Sequence, residues 1–262
     1  MIGVWLAGTG VLGPGLPDAA AVRDILLGVA PHVDAPDPEP VPALLPANER
    51  RRASIPARWA LTVGSEALAG SGIAPQDVAV VFTSCGGDST ISDQICSALA
   101  VQPPAMSPTR FHNSVHNAPA GYWSIFARSH APSTSLCGFD ASLAAGLLEA
   151  AVQAAVERRP VLLVAYDLTA PEPLNRLWPV PRSFAAAFLL TPEPAGRTRV
   201  RLGIEVADGT ASQAFPKVLP DALAANPAAQ ALVLLAALAK GAGNRAQLRY
   251  LRNSHVAVEI DP

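Results

Sequence analysis

Asp140 stands where the chain turns sharply. The stretch Pro132-Ser-Thr-Ser-Leu-Cys-Gly-Phe-Asp140-Ala-Ser-Leu-Ala-Ala-Gly-Leu-Leu-Glu-Ala150 reads as a short strand (Thr134 to Phe139), a tight elbow and a helix from Ala141 to Glu157. Strand-to-helix elbows hold nucleophiles in many enzymes, and a helix N-terminus favours negative charge. A carboxylate here has two uses. It can cap the helix by accepting from the free amides of the first turn, or it can act as an aspartyl nucleophile. The cap is the commoner use and the expectation. Cys137 is the other nucleophile candidate, but on a strand with no basic partner in sequence it is expected to pack rather than react. Cys85, in Ser84-Cys-Gly-Gly87, can line a pocket or pack in the core with equal ease. His112 and His116 are four residues apart, a spacing that suits a metal on one helix face. Pro108 and Pro119 bracket them and argue against a regular helix, so no metal site is expected. Ser133, Thr134 and Ser135 form no triad with any local His and Asp and read as strand and turn residues. Arg50-Arg-Arg52 reads as a solvated run at a loop-to-helix junction.

The elements that must position these residues alternate between strand and helix. Val4 to Ala7 is apolar and runs into Gly8-Thr-Gly10-Val-Leu-Gly-Pro14, whose glycines suit a tight turn and close backbone approach. Asp18 to Leu27 can form a helix, and Pro31 to Pro46 is a Pro-rich loop. Ile55 to Ala69 has helical spacing and ends at Gly70 and Gly72. Val78 to Thr83 is an apolar strand, followed by helices at Ile91 to Leu99 and Ala120 to Ala127. Val161 to Ala165 is another continuous apolar strand. Ala185 to Leu190 and Arg199 to Val206 look like an antiparallel pair. Pro227 to Ala239 is helical with Asn226 at the cap, and Leu248 to Ile260 has strand character. Continuous apolar strands alternating with helices imply a sheet covered on both faces. The helix after Asp140 is apolar almost all round, which marks it as buried.

Composition narrows the class. Of 262 residues, 50% are hydrophobic and 15% charged, so a substantial core is expected. A net charge of −2 gives no case for nucleic acid or an anionic membrane surface. Apolar runs are broken before about 18 residues, so no transmembrane helix is expected. The N-terminus lacks the basic start of a signal peptide. Three cysteines without metal-ligand spacing fit a reducing cytoplasmic setting.

Several segments, in order, resemble β-ketoacyl synthases of the thiolase-like superfamily. Val4-Trp-Leu-Ala-Gly-Thr-Gly-Val-Leu-Gly-Pro14 is similar to the family's opening strand. A Rossmann phosphate loop is the rival reading, but the third glycine and the acidic partner are lacking. Ser84-Cys-Gly-Gly87 resembles the glycine pair after a later strand. Met106 to Gly121 resembles the segment along the family's dimer interface. The stretch Pro132 to Ala150 resembles the nucleophile elbow, and Ser183 to Pro192 a later strand. No gap is needed between Cys85 and Val164, and in that register the family's cysteine falls on Asp140. The resemblance covers residues 1 to 206, the N-terminal half of the family fold. Residues 207 to 262 are too few for the half that carries two catalytic histidines, and His255 lacks the glycine-rich setting of the last one.

The resemblance implies a thiolase-like layered α/β fold with a central buried helix, in one domain over 1–262 whose second half is a shortened remnant. It implies a chain-length-factor type of subunit, in a short form as in aryl-polyene biosynthesis. Such a subunit is non-catalytic and pairs with a full-length β-ketoacyl synthase, with an acyl carrier protein delivering substrate on the partner's side and no cofactor. Cys85, Phe111, Tyr122 and Phe139 would line the acyl tunnel. His112, Asn113, His116, Asn117, Ala120, Thr134, Ser135 and Cys137 would lie at the dimer interface. Two other readings stay open. One is a stand-alone acyl-thioester hydrolase or decarboxylase using Asp140 or Cys137. The other is a homodimeric scaffold.

Overall fold

The structure is a computed structural model and describes residues 1–42, 45–103, 105–196 and 200–261. Its eight strands are β1 (Ile2–Leu12), β2 (Ala79–Thr83), β3 (Ser133–Leu136), β4 (Val161–Asp167), β5 (Phe184–Thr191), β6 (Val200–Asp208), β7 (Arg245–Leu251) and β8 (Ser254–Asp261). They form one sheet in the order β3-β2-β4-β5-β1-β6-β8-β7. β2, β3 and β4 are parallel, and the remaining pairings are antiparallel.

β4 and β5 are buried along their whole length, as their unbroken apolar sequences require of strands covered on both faces. Alternate residues of β4 divide the core. Val161, Leu163 and Ala165 face the helices Ser142–Glu157 and Ala231–Lys240. Leu162, Val164 and Tyr166 face the helix Ile55–Leu68 and Trp123 of the helix Ala118–Ala127.

The helix Ser142–Glu157 touches β2 and β4 and also β6, β7 and β8. In a flat sheet, five strand spacings of about 4.8 Å would separate β4 from β7 by about 24 Å, twice the diameter of a helix. The sheet therefore curls around this helix, and β6 to β8 supply the wall opposite β2 and β4. The central helix expected from its sequence is present, its buried side packed into the core while Val152 and Val156 are exposed. Half of the stretch Phe139–Glu157 is buried. At 19 residues it reaches the length and apolarity of a membrane span, so the expectation that no run would do so is corrected. Here that apolarity serves the core.

Two element assignments are also corrected. The strands at Phe184–Thr191 and Val200–Asp208 do not pair with each other, because β1 lies between them and bonds to both. Arg199, placed in the second by sequence, lies outside the described residues, as do Ala43 and Leu44 of the Pro-rich segment. The strand character expected from Leu248 to Ile260 takes the form of a hairpin, β7 turning into β8 at Arg252 and Asn253. Gly8-Thr9-Gly10 is not a turn but the middle of β1, which removes the phosphate-loop alternative. The glycines do serve close approach. A Cβ on Gly8 or Gly10 would stand 2.0 Å from the carbonyl oxygens of Ala67 or Val63 in the helix Ile55–Leu68.

Candidate functional site

In open α/β sheets, ligands bind outside the carboxyl ends of parallel strands. Those ends converge here. β2 delivers Ser84, Cys85, Gly86 and Gly87, β3 delivers the elbow from Cys137 to Asp140, and β4 delivers Asp167. Between them opens a cavity of about 310 Å³, walled by Cys85, the glycine pair, Phe139, Asp167 and the apolar side chains Leu168, Leu174, Trp178 and Val180.

Asp167 organises this floor. Its Oδ1 accepts from Ser84 Oγ (2.9 Å), the Cys85 amide (2.7 Å) and the Gly86 amide (3.3 Å). Ser84 Oγ in turn accepts from the Gly87 amide at 2.8 Å. Asp167 Oδ2 is buried without a hydrogen bond. Burial pushes the carboxyl up to about 6, against the lowering effect of Ser84 and the amides of Cys85, Gly86 and Ala228. The same burial, with Asp167, Cys137 and Asp140 adding negative field, pushes the Cys85 thiol up to about 12. Sequence reasoning missed Asp167. Its signal was a lone acid ending the apolar run Val161 to Tyr166.

The elbow differs from expectation. Asp140 does not cap the helix. It sits inside a 3-10 turn, Phe139–Ala141, which precedes the α-helix, and neither element has a side-chain N-cap bond. The hydroxyl of Ser142 closes the turn instead, accepting from the Gly138 amide (3.0 Å) and donating to the Phe139 carbonyl (2.7 Å). Asp140 is exposed. Phe139 has φ +51°, a left-handed conformation that is an outlier for a bulky residue. The residue is 67% exposed, and its ring lies 5.6 Å from that of Trp178.

The other candidates are dispersed. Cys137 is exposed just past β3, its thiol 3.4 Å from the Cys85 carbonyl. Cys85 and Phe139 share the cavity. Phe111 is exposed elsewhere, and Tyr122 is buried, its hydroxyl donating to Asn113 Oδ1 at 3.0 Å. The segment between Pro108 and Pro119 is more helical than expected. Both prolines open helices, Pro108–Asn113 and Ala118–Ala127, where a proline loses no helical bond. His112 and His116 therefore do not share a helix face. His112 meets the Tyr122 ring edge-on, and His116 Nε2 lies 3.0 Å from the Ser84 carbonyl. Asn113 and Ala120 are turned into the chain's own interior, whereas Asn117 is exposed. Thr134 and Ser135 are half-buried on β3, and Thr134 accepts from Gln153 at 3.1 Å. Among the described residues no group of three or more His, Cys, Asp or Glu could hold a metal ion.

A family model described as the β-ketoacyl synthase N-terminal domain matches residues 29–254. No curated protein matches the sequence. Among solved structures, the chain resembles one from the ketosynthase (ApeO) in complex with its chain length factor (ApeC) from Xenorhabdus doucetiae. The TM-score is 0.73 at 23% identity, over 100% of both chains. It also resembles the ishigamide ketosynthase/chain length factor, with a TM-score of 0.75 at 13% identity over 99% of both. Against the ketosynthase of module 6 of the bacillaene synthase from Bacillus subtilis 168, the TM-score is 0.59 at 13% identity. That match covers 81% of this chain but 42% of the other. The layered fold is that of the thiolase-like ketosynthases.

Proposed function

Because this chain belongs to the β-ketoacyl synthase family, we propose that it is a non-catalytic, chain-length-factor-like subunit that pairs with an active ketosynthase in type II polyketide or aryl-polyene biosynthesis. The observation that carries this reading is the chemistry of the elbow cavity. The candidate attacking groups are Asp140 and Cys137, both exposed at the elbow and outside the cavity's lining, and Cys85, whose thiol is pushed up to about 12. Only the thiolate attacks. Among the described residues no histidine lines the cavity to act as base. End-to-end likeness to chains from ketosynthase/chain-length-factor structures supports the subunit reading. In this reading residues 1–262 act as one domain.

The two edges of the sheet support a partner at β3. At β7 the amides of Gln247 and Arg249 donate to Gln213 Oε1 and Gln230 Oε1, both at 2.7 Å, and arginines stud the strand, which blunts it against pairing. Among the described residues β3 has β2 as its only neighbour, and it carries no charge. Ile125, on the helix that touches β3, and Val152 and Val156, on the helix whose Gln153 bonds Thr134, are exposed, as are Phe111 and Val115. The partner would cover β3 and this apolar rim, with His112, His116 and Asn117 as polar contacts. It would supply the nucleophile and histidines, and the acyl carrier protein would dock on its side.

Two experiments test the proposal. Co-expression with a full-length ketosynthase and its carrier protein should yield a stable heterodimer by size exclusion. The isolated chain, incubated with acyl-carrier thioesters, should show no acyl adduct by mass spectrometry. A stoichiometric adduct on Cys137 or Asp140 would overturn it in favour of an independent enzyme. A stable homodimer that ignores the ketosynthase would favour a scaffold.

A further inference from the structure

The C-terminal segment holds two fully enclosed polar side chains that no surface role explains. Asn226 is 0% and Gln230 6% exposed. Burying an amide is costly unless its hydrogen bonds are made, and both residues make theirs across the site. Asn226 Nδ2 donates to the carbonyls of Asp167 and Arg182, each at 2.8 Å, tying the end of β4 to the start of β5. Its Oδ1 accepts from the Ala228 amide at 2.9 Å, capping the helical turn that carries Gln230. Gln230 Nε2 donates to the Asp140 carbonyl, and its Oε1 accepts from the Arg249 amide. One side chain thus bolts the elbow to β7.

The elbow needs such a bolt. Phe139 at φ +51° is strained, and strain of this kind, about 1–3 kcal/mol, persists only where the surroundings over-determine it. Ser142 fixes the turn from within the elbow. Gln230 is the side chain that reaches the next carbonyl from a distant part of the chain, 90 residues away. We infer that Gln230, seated by Asn226, is a positioning residue. It holds the Asp140 turn against β7 and keeps Phe139 in its left-handed conformation at the mouth of the elbow cavity. The segment after β6 is then the clasp of the site, and the elbow is set within this chain, independently of any partner.

Hydrogen exchange on the full-length chain tests this. Gln230→Glu keeps an acceptor for Arg249 but removes the donor to Asp140. Exchange at the Gly138 and Ala141 amides should rise about ten-fold, the worth of one buried hydrogen bond, while β7 and β8 stay protected. Glycine tolerates φ +51° without strain. In a Phe139→Gly background the same substitution should therefore accelerate exchange by a clearly smaller factor. If Gln230→Glu fails to fold, Gln230→Met is measured in both backgrounds with the same expectation at the elbow. Unchanged elbow protection overturns the inference, and so does equal acceleration in the two backgrounds.

Discussion

Burial and hydrogen bonding pull Asp167 in opposite directions, and burial wins, leaving its carboxyl at about 6 rather than the ordinary 3.8. The folded state therefore binds this proton more tightly than the unfolded chain. Stability from Asp167 is present in full below about 3.8, falls as pH rises toward about 6 and stays reduced above it. Asp167→Asn keeps an acceptor for Ser84, Cys85 and Gly86 without the charge. Its stability relative to the natural chain should improve between pH 4 and 7.5, by at most roughly 3 kcal/mol. Urea unfolding at the two pH values reads this, and a constant difference would refute it. For Asp140 the structure reverses the expectation drawn from cap preference. Without a cap bond to lose, Asp140→Ala should change stability by less than about 0.5 kcal/mol. A loss near 1 kcal/mol in thermal melts, the usual cost of a lost cap, would restore the capping role.

At the element scale, the helix Ile55–Leu68 locks β1 in place through backbone contact and through Glu66. Glu66 accepts from the Val11 amide (2.8 Å) and the Ala19 amide (2.7 Å), joining the end of β1 to the first turn of the helix Ala19–Leu26. Burial raises this carboxyl above its ordinary value, against the lowering effect of the two amides. Glu66→Gln retains the shape but turns a donor toward one of those amides. It should cost about 2 kcal/mol, measured by chemical unfolding near neutral pH. A neutral outcome would mean that water satisfies both amides. The helix signals around it were plain in sequence, with Gly70 and Gly72 as its stop. The bond from Glu66 was not, since nothing local marks which acid will reach a strand 55 residues away.

At the scale of the whole molecule, the question is which surface would meet the proposed partner. Ala120, Asn113 and Tyr122 belong to the chain's interior, so substituting them would damage the fold before it reported on any interface. Phe111 and Ile125 are 62% and 44% exposed. Phe111→Lys and Ile125→Lys should leave the thermal midpoint of the isolated chain nearly unchanged. Each should weaken the complex with the ketosynthase at least ten-fold, because a lysine buried unpaired at an interface is expensive. Pull-down and size exclusion of the co-expressed pair would show it. Retention of the complex with both substitutions would move the interface away from β3.

The amino-acid sequence by itself determined the elements and the family. Apolar continuity marked β2, β4 and β5, and the apolar helix after Asp140 announced a buried centre. The ungapped run from Cys85 to Val164 carried the expectation of an acid where the family has a thiol. These are local patterns, and local chemistry is written residue by residue. Tertiary structure alone decided the rest. The insertion of β1 between β5 and β6, the curl of the sheet around the helix Ser142–Glu157, and the bonds of Asp167 and Gln230 join residues far apart in sequence. Which donors meet which acceptors across such distances depends on packing, not on spacing. Asp140 shows the same dependence. Its sequence position favoured a cap, but a 3-10 turn closed by Ser142 leads into the helix, and no side chain caps either element.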